Sequence, residues 1–305
     1  FPGEPEVSIA DTLNEAELIE LFDKTLSFYI DVDRTMARDY DLQLIMVDSS
    51  QFGPQLGYCD ARPHSKLIAL GLDTIAEKSE SMEDYHASVK GVNYHELAHF
   101  MFAIRNRTPE TEAEGLGQIL NALNDIRDEN IFVYNFPKTS DYFNYTAMKF
   151  ILKLADDETW EHPENFVITY GRRRYIDDDI IVHFEEMFEK ALGQDVANQV
   201  KEIVDGFILA KTVEESIEYA RKLKALLPIG EIIIPKDKIP KDMKKYFEPI
   251  MARLARQIGE VFKKEEGEEG EESETSETEE ELEEELHEEE LEEEAEEGEL
   301  HTDVI

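Results

Sequence analysis

The sequence predicts an α+β fold: a small sheet set among helices, then a mainly helical region, then a disordered acidic tail. Three observations carry that prediction. Helical periodicity near the start gives way to two short apolar runs, it resumes from Ser81 and persists through most of the chain beyond that point, and the end is a run of Glu. With 305 residues, 41% of them hydrophobic, the chain can bury one substantial core or two small ones.

Asn14 to Ala37 reads as an amphipathic helix whose apolar side is Leu18, Leu21, Phe22, Leu26, Tyr29 and Ile30. Leu42 to Val47 is short, apolar and bounded by Asp48-Ser49-Ser50, as a strand is. Gln51 to Pro63 is rich in turn residues, and Lys66 to Leu72 is a second strand candidate. Ser81-Met82-Glu83-Asp84 has the form of a capping box. The helix it opens runs through Tyr85, Val89, Val92, Leu97, Phe100, Met101 and Ile104 to Arg105 and Arg107, where Thr108-Pro109 is expected to end it. Glu114 to Phe132 forms another helix, with Leu116, Ile119, Leu120, Leu123 and Ile126 as its stripe. Further helices are expected at Tyr142 to Ala155, Asp177 to Leu192, Val196 to Leu209, Val213 to Leu227 and Lys241 to Phe262. The expected organisation is a core over 1–136, a helical subdomain over 137–263 and a Glu-rich tail or linker over 264–305.

Charge narrows the partners. The net charge is −41, of which residues 265–299 and Asp303 contribute −24, through twenty-three Glu and one Asp without a Lys or Arg; the first 264 residues carry −17. Such a run cannot bury enough apolar surface to offset the entropy of ordering, so it is expected to be a solvating tail, an interdomain linker or a docking segment for a basic protein partner. Nucleic acid is excluded by repulsion of its phosphates. No apolar run reaches the eighteen or so residues of a membrane span, and Phe1-Pro2-Gly3-Glu4 has neither the basic nor the apolar region of a secretion signal. A first residue other than Met points to a processed or excised chain. Cys59, the one cysteine, rules out an internal disulfide and a thiolate zinc cluster, and fits a reducing, cytoplasmic setting.

Tyr94-His95-Glu96-Leu97-Ala98-His99 carries the chemistry. Histidines at i and i+4 lie one turn apart on the same helix face, so both rings can reach a single Zn²⁺. Glu96, one step round, can approach the metal's open position and take a proton from water there. The plain alternative is a pair of half-buried histidines bonded to backbone or water. His64, His86, His162 and His183 have no ligand-like spacing and read as ordinary residues.

Helix, small sheet and HExxH helix, in that order, resemble the zincin metallopeptidases, in which a small twisted sheet lies beside the active-site helix. That resemblance implies an edge strand that pairs with an extended peptide, and residues 66 to 72 would be that strand. The metzincin pattern is excluded, because its glycine and third histidine correspond to Phe102 and Arg105 here. Gluzincins and aspzincins take a carboxylate from a later helix. On Glu114 to Phe132, Asn121, Asp125, Asp128 and Glu129 gather opposite the apolar stripe, so Asp125 or Glu129 is expected at the metal. The other would then hold the distal N–H of a histidine. Arg127, on the apolar side, is expected to be structural and paired with a buried carboxylate.

HELAH followed by Asn121-Ala-Leu-Asn-Asp-Ile-Arg-Asp-Glu129 resembles a motif of zincin-like domains in bacterial and phage proteins that carry an acidic linker and a von Willebrand factor A domain. The cobaltochelatase accessory subunit has a comparable layout. The likeness covers residues 10 to 135 and the acidic segment. The chain departs from the pattern at Asn124, where it has Glu, and at Asp128, where it is apolar; Asn124 cannot supply a carboxylate, which makes Asp125 the first choice and Glu129 the second. Thr169 to Tyr175 is the one basic cluster, suited to a substrate carboxylate or to the acidic tail, and Tyr170 or Tyr175 is a candidate donor to a developing oxyanion. The expected function is zinc-dependent peptide hydrolysis by Glu96-assisted attack of zinc-bound water. Two alternatives stand beside it: a catalytically silent zincin-like assembly module working with a partner ATPase or von Willebrand factor A domain, and an acidic cation buffer.

Overall fold

Capping chemistry sets where the first helices begin. The computed structural model describes residues 7–47, 49, 55–62, 64–153, 164–173, 175, 178–227 and 254. Ser8 and Asn14 each open a helix through a reciprocal capping box, α1 (Ile9–Thr12) and α2 (Glu15–Ala37). Asn14 accepts from the Ala16 and Glu17 amides, and Glu17 accepts from the Asn14 N–H at 2.8 Å. At the other end Arg38 turns left-handed (φ 51°), so that its N–H and that of Asp39 satisfy the Thr35 and Arg34 carbonyls. Between these ends α2 buries Phe22, Thr25, Tyr29, Val32, Asp33 and Met36.

By contact density the chain falls into two units that interleave in sequence. Among the described residues, the first takes the chain up to Phe100 with Asn135–Tyr142 and Leu254, and the second takes Met101–Tyr134 and the described residues from Phe143 to Leu227.

The first unit holds the sheet: β1 (Gln43–Met46), β2 (Gly57–Asp60) and β3 (Leu67–Leu70), in the order β1-β3-β2. β1 runs parallel to β3, with Gln43 opposite Leu67, and β2 runs antiparallel to it, with Gly57 opposite Leu70. Two expectations are corrected here. The strand expected at 66 to 72 is central rather than at an edge, as its buried Ile68, Ala69 and Leu70 require. The turn-rich stretch from Gln51 to Pro63, in which no strand is expected, contains β2, the edge strand beside it. α2 packs on β1, and α1 on α3 (Leu72–Glu77), which follows β3 directly.

α4 (Met82–Phe102) carries HExxH. Ser81 Oγ accepts the Asp84 N–H at 3.1 Å, as a cap does, while the Asp84 carboxylate accepts from the Glu80 N–H instead of completing the box at Ser81. α4 stops at Phe102, short of the expected Arg105 and Arg107. There Arg127 Nη1 donates to the Phe102 carbonyl at 2.8 Å, satisfying one of the carbonyls that the helix end leaves open. Thr108-Pro109 then starts α5 (Pro109–Ala113) rather than ending α4, with Thr108 as its cap.

Helices make up the second unit. α6 (Gly117–Asn135) supplies Phe132, which meets Phe102 and Phe143 edge-on at 6.3 and 5.7 Å. α7 (Ser140–Thr146) runs into a π-helical stretch, Ala147–Lys153. α8 (Glu164–Gly171), α9 (Asp178–Leu192), α10 (Gln194–Ile208) and α11 (Val213–Leu226) pack in succession, with Phe166 stacked on Phe188 at 4.9 Å. Arg127 also meets the fully buried Asp128 at 2.8 Å, the structural ion pair its apolar position implied. Among the described residues, no helix is long and apolar enough to cross a membrane. The expected helix from Lys241 and the Glu-rich tail lie outside the described residues, Leu254 apart.

Replacing Arg127 with Met keeps the stem but strands the Asp128 charge and the Phe102 carbonyl. Urea unfolding of Arg127→Met is expected to show a loss of about 3 kcal/mol, the scale for breaking a buried pair from one side.

Candidate metal centre

His95 and His99 are where α4 becomes half-buried after several buried turns. One helical turn apart, they bring Nε2 to within 3.2 Å of Nε2, with the ring planes at 79°. Two nitrogens on one tetrahedral zinc, each at about 2.0–2.1 Å, lie about 3.3 Å apart, so the pair already has ligand spacing. Glu96, between them in sequence, is buried. The β2 backbone crosses it at Gly57: a Cβ there would stand 2.5 Å from Glu96 Oε1 and 2.8 Å from Cγ. Only glycine lets the strand and the carboxylate lie this close.

The preceding turn of α4 is fixed by aromatic contacts. Tyr94 is buried and meets Tyr142 edge-on at 6.1 Å, while the Lys90 ammonium lies 5.7 and 4.9 Å from the two ring centres. His86 packs edge-on against Tyr85, and burial lowers its pKa despite the Glu83 charge. It has the character of an ordinary core residue.

In the second unit α6 presents the two candidate carboxylates in different settings. Asp125 is half-buried, with Asn121 Nδ2 3.5 Å from its Oδ2. Asn121 Oδ1 in turn accepts from Arg107 at 2.9 Å, and Arg107 is anchored by Glu112 at 3.0 Å. Glu129, one turn on, is buried and accepts from Arg172 Nε and Nη2 at 2.6 and 2.7 Å and from the Tyr175 hydroxyl. The loop that delivers Arg172 is pinned by Asn130 Nδ2, which donates to the Gly171 carbonyl at 2.7 Å. Asn124, where the sequence departs from the zincin-like pattern, forms a buried amide pair with Asn106 at 2.9 and 3.0 Å.

Electrostatics follow these pairings. Burial opposes the Arg172 charge, but Glu129 and Tyr175 hold the guanidinium pKa above its ordinary range. Burial, then the Glu129 charge, raises the Tyr175 hydroxyl well above its usual value. Tyr170 is pushed up to about 12 by burial and by Asp205, to which its hydroxyl donates at 3.0 Å. Arg173 also reaches Asp205, at 3.4 Å. The basic cluster around Tyr170 thus spends two of its arginines on internal carboxylates. Sequence reasoning missed the Arg172–Glu129 pair, since nothing local links residues 43 positions apart.

No protein-family model, curated protein or solved structure matches the chain.

Glu129→Ala strands the buried Arg172 charge and is expected to lower stability by about 3–5 kcal/mol. Tyr170→Phe loses one hydrogen bond to Asp205 and is expected to cost about 1 kcal/mol. Chemical denaturation of the two variants side by side checks the ratio.

Proposed function

We propose that this chain is a zinc-dependent metallopeptidase in which His95, His99 and Asp125 hold the ion and Glu96 is the general base. One observation carries the reading. Among the described residues, His95 and His99 place two imidazole nitrogens 3.2 Å apart, at the spacing of two ligands on one ion, and Asp125, a half-buried carboxylate of the other unit, is the third donor we assign. Two imidazoles and one carboxylate suit zinc and leave a fourth position for water or substrate. Glu129 serves less well, because moving its carboxylate to a metal would strip Arg172 and Tyr175 of their acceptor.

Zinc bound there supplies Lewis acidity, which acidifies water and polarises a carbonyl. The remaining work falls to the chain's own groups. Glu96 removes the proton from the attacking water and returns it to the amine nitrogen as the peptide C–N bond breaks. Its carboxylate is confined by Gly57 on one side and by the buried turn of α4 on the other. β2, an edge strand, is the surface along which an extended peptide would lie, beside Glu96. His95 and His99 are half-buried residues, as a site that admits a substrate requires.

Mass spectrometric metal analysis of dialysed protein is expected to find one zinc per chain, absent from His95→Ala and Asp125→Ala and retained in Glu129→Gln. Glu96→Gln is expected to keep its zinc and cleave a peptide library roughly a hundredfold more slowly or worse. Equal turnover in that variant excludes Glu96 as the base. Zinc in a wild type that cleaves nothing would favour the assembly-module reading.

A further inference from the structure

Among the described residues, α2 and α4 share two buried polar contacts, Thr25 with Tyr85 and the shorter one between Asp33 and Asn93. Asn93 Nδ2 donates to Asp33 Oδ1 at 2.7 Å, and both side chains are wholly excluded from solvent, at 0% exposure. That bond uses only half of what the two groups carry. Asp33 Oδ2 and Asn93 Oδ1 are also buried, and neither has a partner among the described residues. With an ionised Asp33 both are acceptors, so neither can satisfy the other. A single proton on Oδ2 resolves both at once.

We infer that Asp33 is a neutral carboxylic acid that donates from Oδ2 to Asn93 Oδ1, closing a two-bond acid–amide pair that positions α4 two residues before His95. The surroundings agree. Burial raises the Asp33 pKa to about 8, against the lowering effect of the Asn93 bond. From α4 the facing group is the Asn93 amide. β1, also packed on α2, carries Gln43, Leu44, Ile45 and Met46, none of which ionises. On α2 itself Arg34 is directed elsewhere, donating to the Leu42 carbonyl at 3.1 Å and lying 4.0 Å from Asp31.

The pair makes folding depend on pH with a definite sign. Because the folded pKa is raised, the proton favours the folded chain. Its contribution is complete below the ordinary carboxyl value of 3.8, declines as pH rises towards about 8, and is gone above that. The inference does not rest on the peptidase reading, since neither group is among the residues proposed to hold zinc.

Asp33→Asn is the decisive variant. Its amide can donate to Asn93 Oδ1 and accept from Nδ2, preserving both bonds at every pH. Urea unfolding of wild type and Asp33→Asn across pH 5 to 8 is expected to show the wild-type folding constant falling, relative to the variant, by about tenfold per pH unit. Parallel curves overturn the inference. Should Asp33→Asn fail to fold, infrared spectra of wild type labelled with ¹³C-aspartate decide. A protonated carboxyl band at pH 6 that disappears with a midpoint near 8 supports the pair, and its absence at pH 6 overturns it. A zinc-free wild type would sink the metallopeptidase proposal while leaving both readouts intact.

Discussion

A helix enclosed around most of its circumference cannot leave its polar side chains unpaired, and α4 is such a helix. It buries Asp84, Ser88, Asn93 and Glu96 among its apolar residues. Each unpaired group would cost about 1–3 kcal/mol, a large part of a typical folding free energy of about 5–15 kcal/mol. The neighbours are therefore chosen by polarity as well as by shape. Ser88 donates to the Asp84 carbonyl at 2.7 Å, the Tyr85 hydroxyl meets Thr25 at 3.5 Å, and Asn93 is matched by Asp33. Where the enclosure relaxes, at His95 and His99, the helix brings two ring nitrogens to within 3.2 Å of each other.

The same constraint separates the carboxylates of α6. Asp128 and Glu129 are buried, and each has an arginine, Arg127 and Arg172. A buried ion pair of this kind gives little net stability, but it is very costly to half-dismantle. Glu129 is thereby tied to the architecture. Asp125 is half-buried and is approached by Asn121. On the metallopeptidase reading it is the acid that serves the ion, while Glu129 serves the architecture.

Features set by near neighbours in sequence are legible without the fold. The 3.6-residue period marks α2, and the HExxH spacing alone suffices to bring His95 to His99. On the metallopeptidase reading, the polar side of a later helix narrows the third ligand to Asp125 or Glu129. The choice between them is hidden, since it depends on Arg172 arriving from a loop 43 residues away. The end of α4 is hidden for a similar reason. Arg105 and Arg107 have the residue type that favours a helix C-terminus, but it is Arg127 that satisfies the Phe102 carbonyl at the observed end. β2 is invisible to periodicity: Gly-Tyr-Cys-Asp is four residues long and shows no clear alternation, and its pairing partner is what defines it.

Moving the sheet edge from β3 to β2 changes the chemistry the fold can support. β3 spends its backbone hydrogen bonds on two neighbours and cannot add a third strand. Of the two outer strands, β1 is parallel to the centre, while β2 is antiparallel and passes over Glu96 at Gly57. On the peptidase reading, the strand that would align a substrate and the residue that confines the base are therefore the same segment. A side chain at position 57 would meet the Glu96 side chain and force the carboxylate to shift. The glycine is thus tied to the relation between peptide backbone and general base, and not only to local turn geometry.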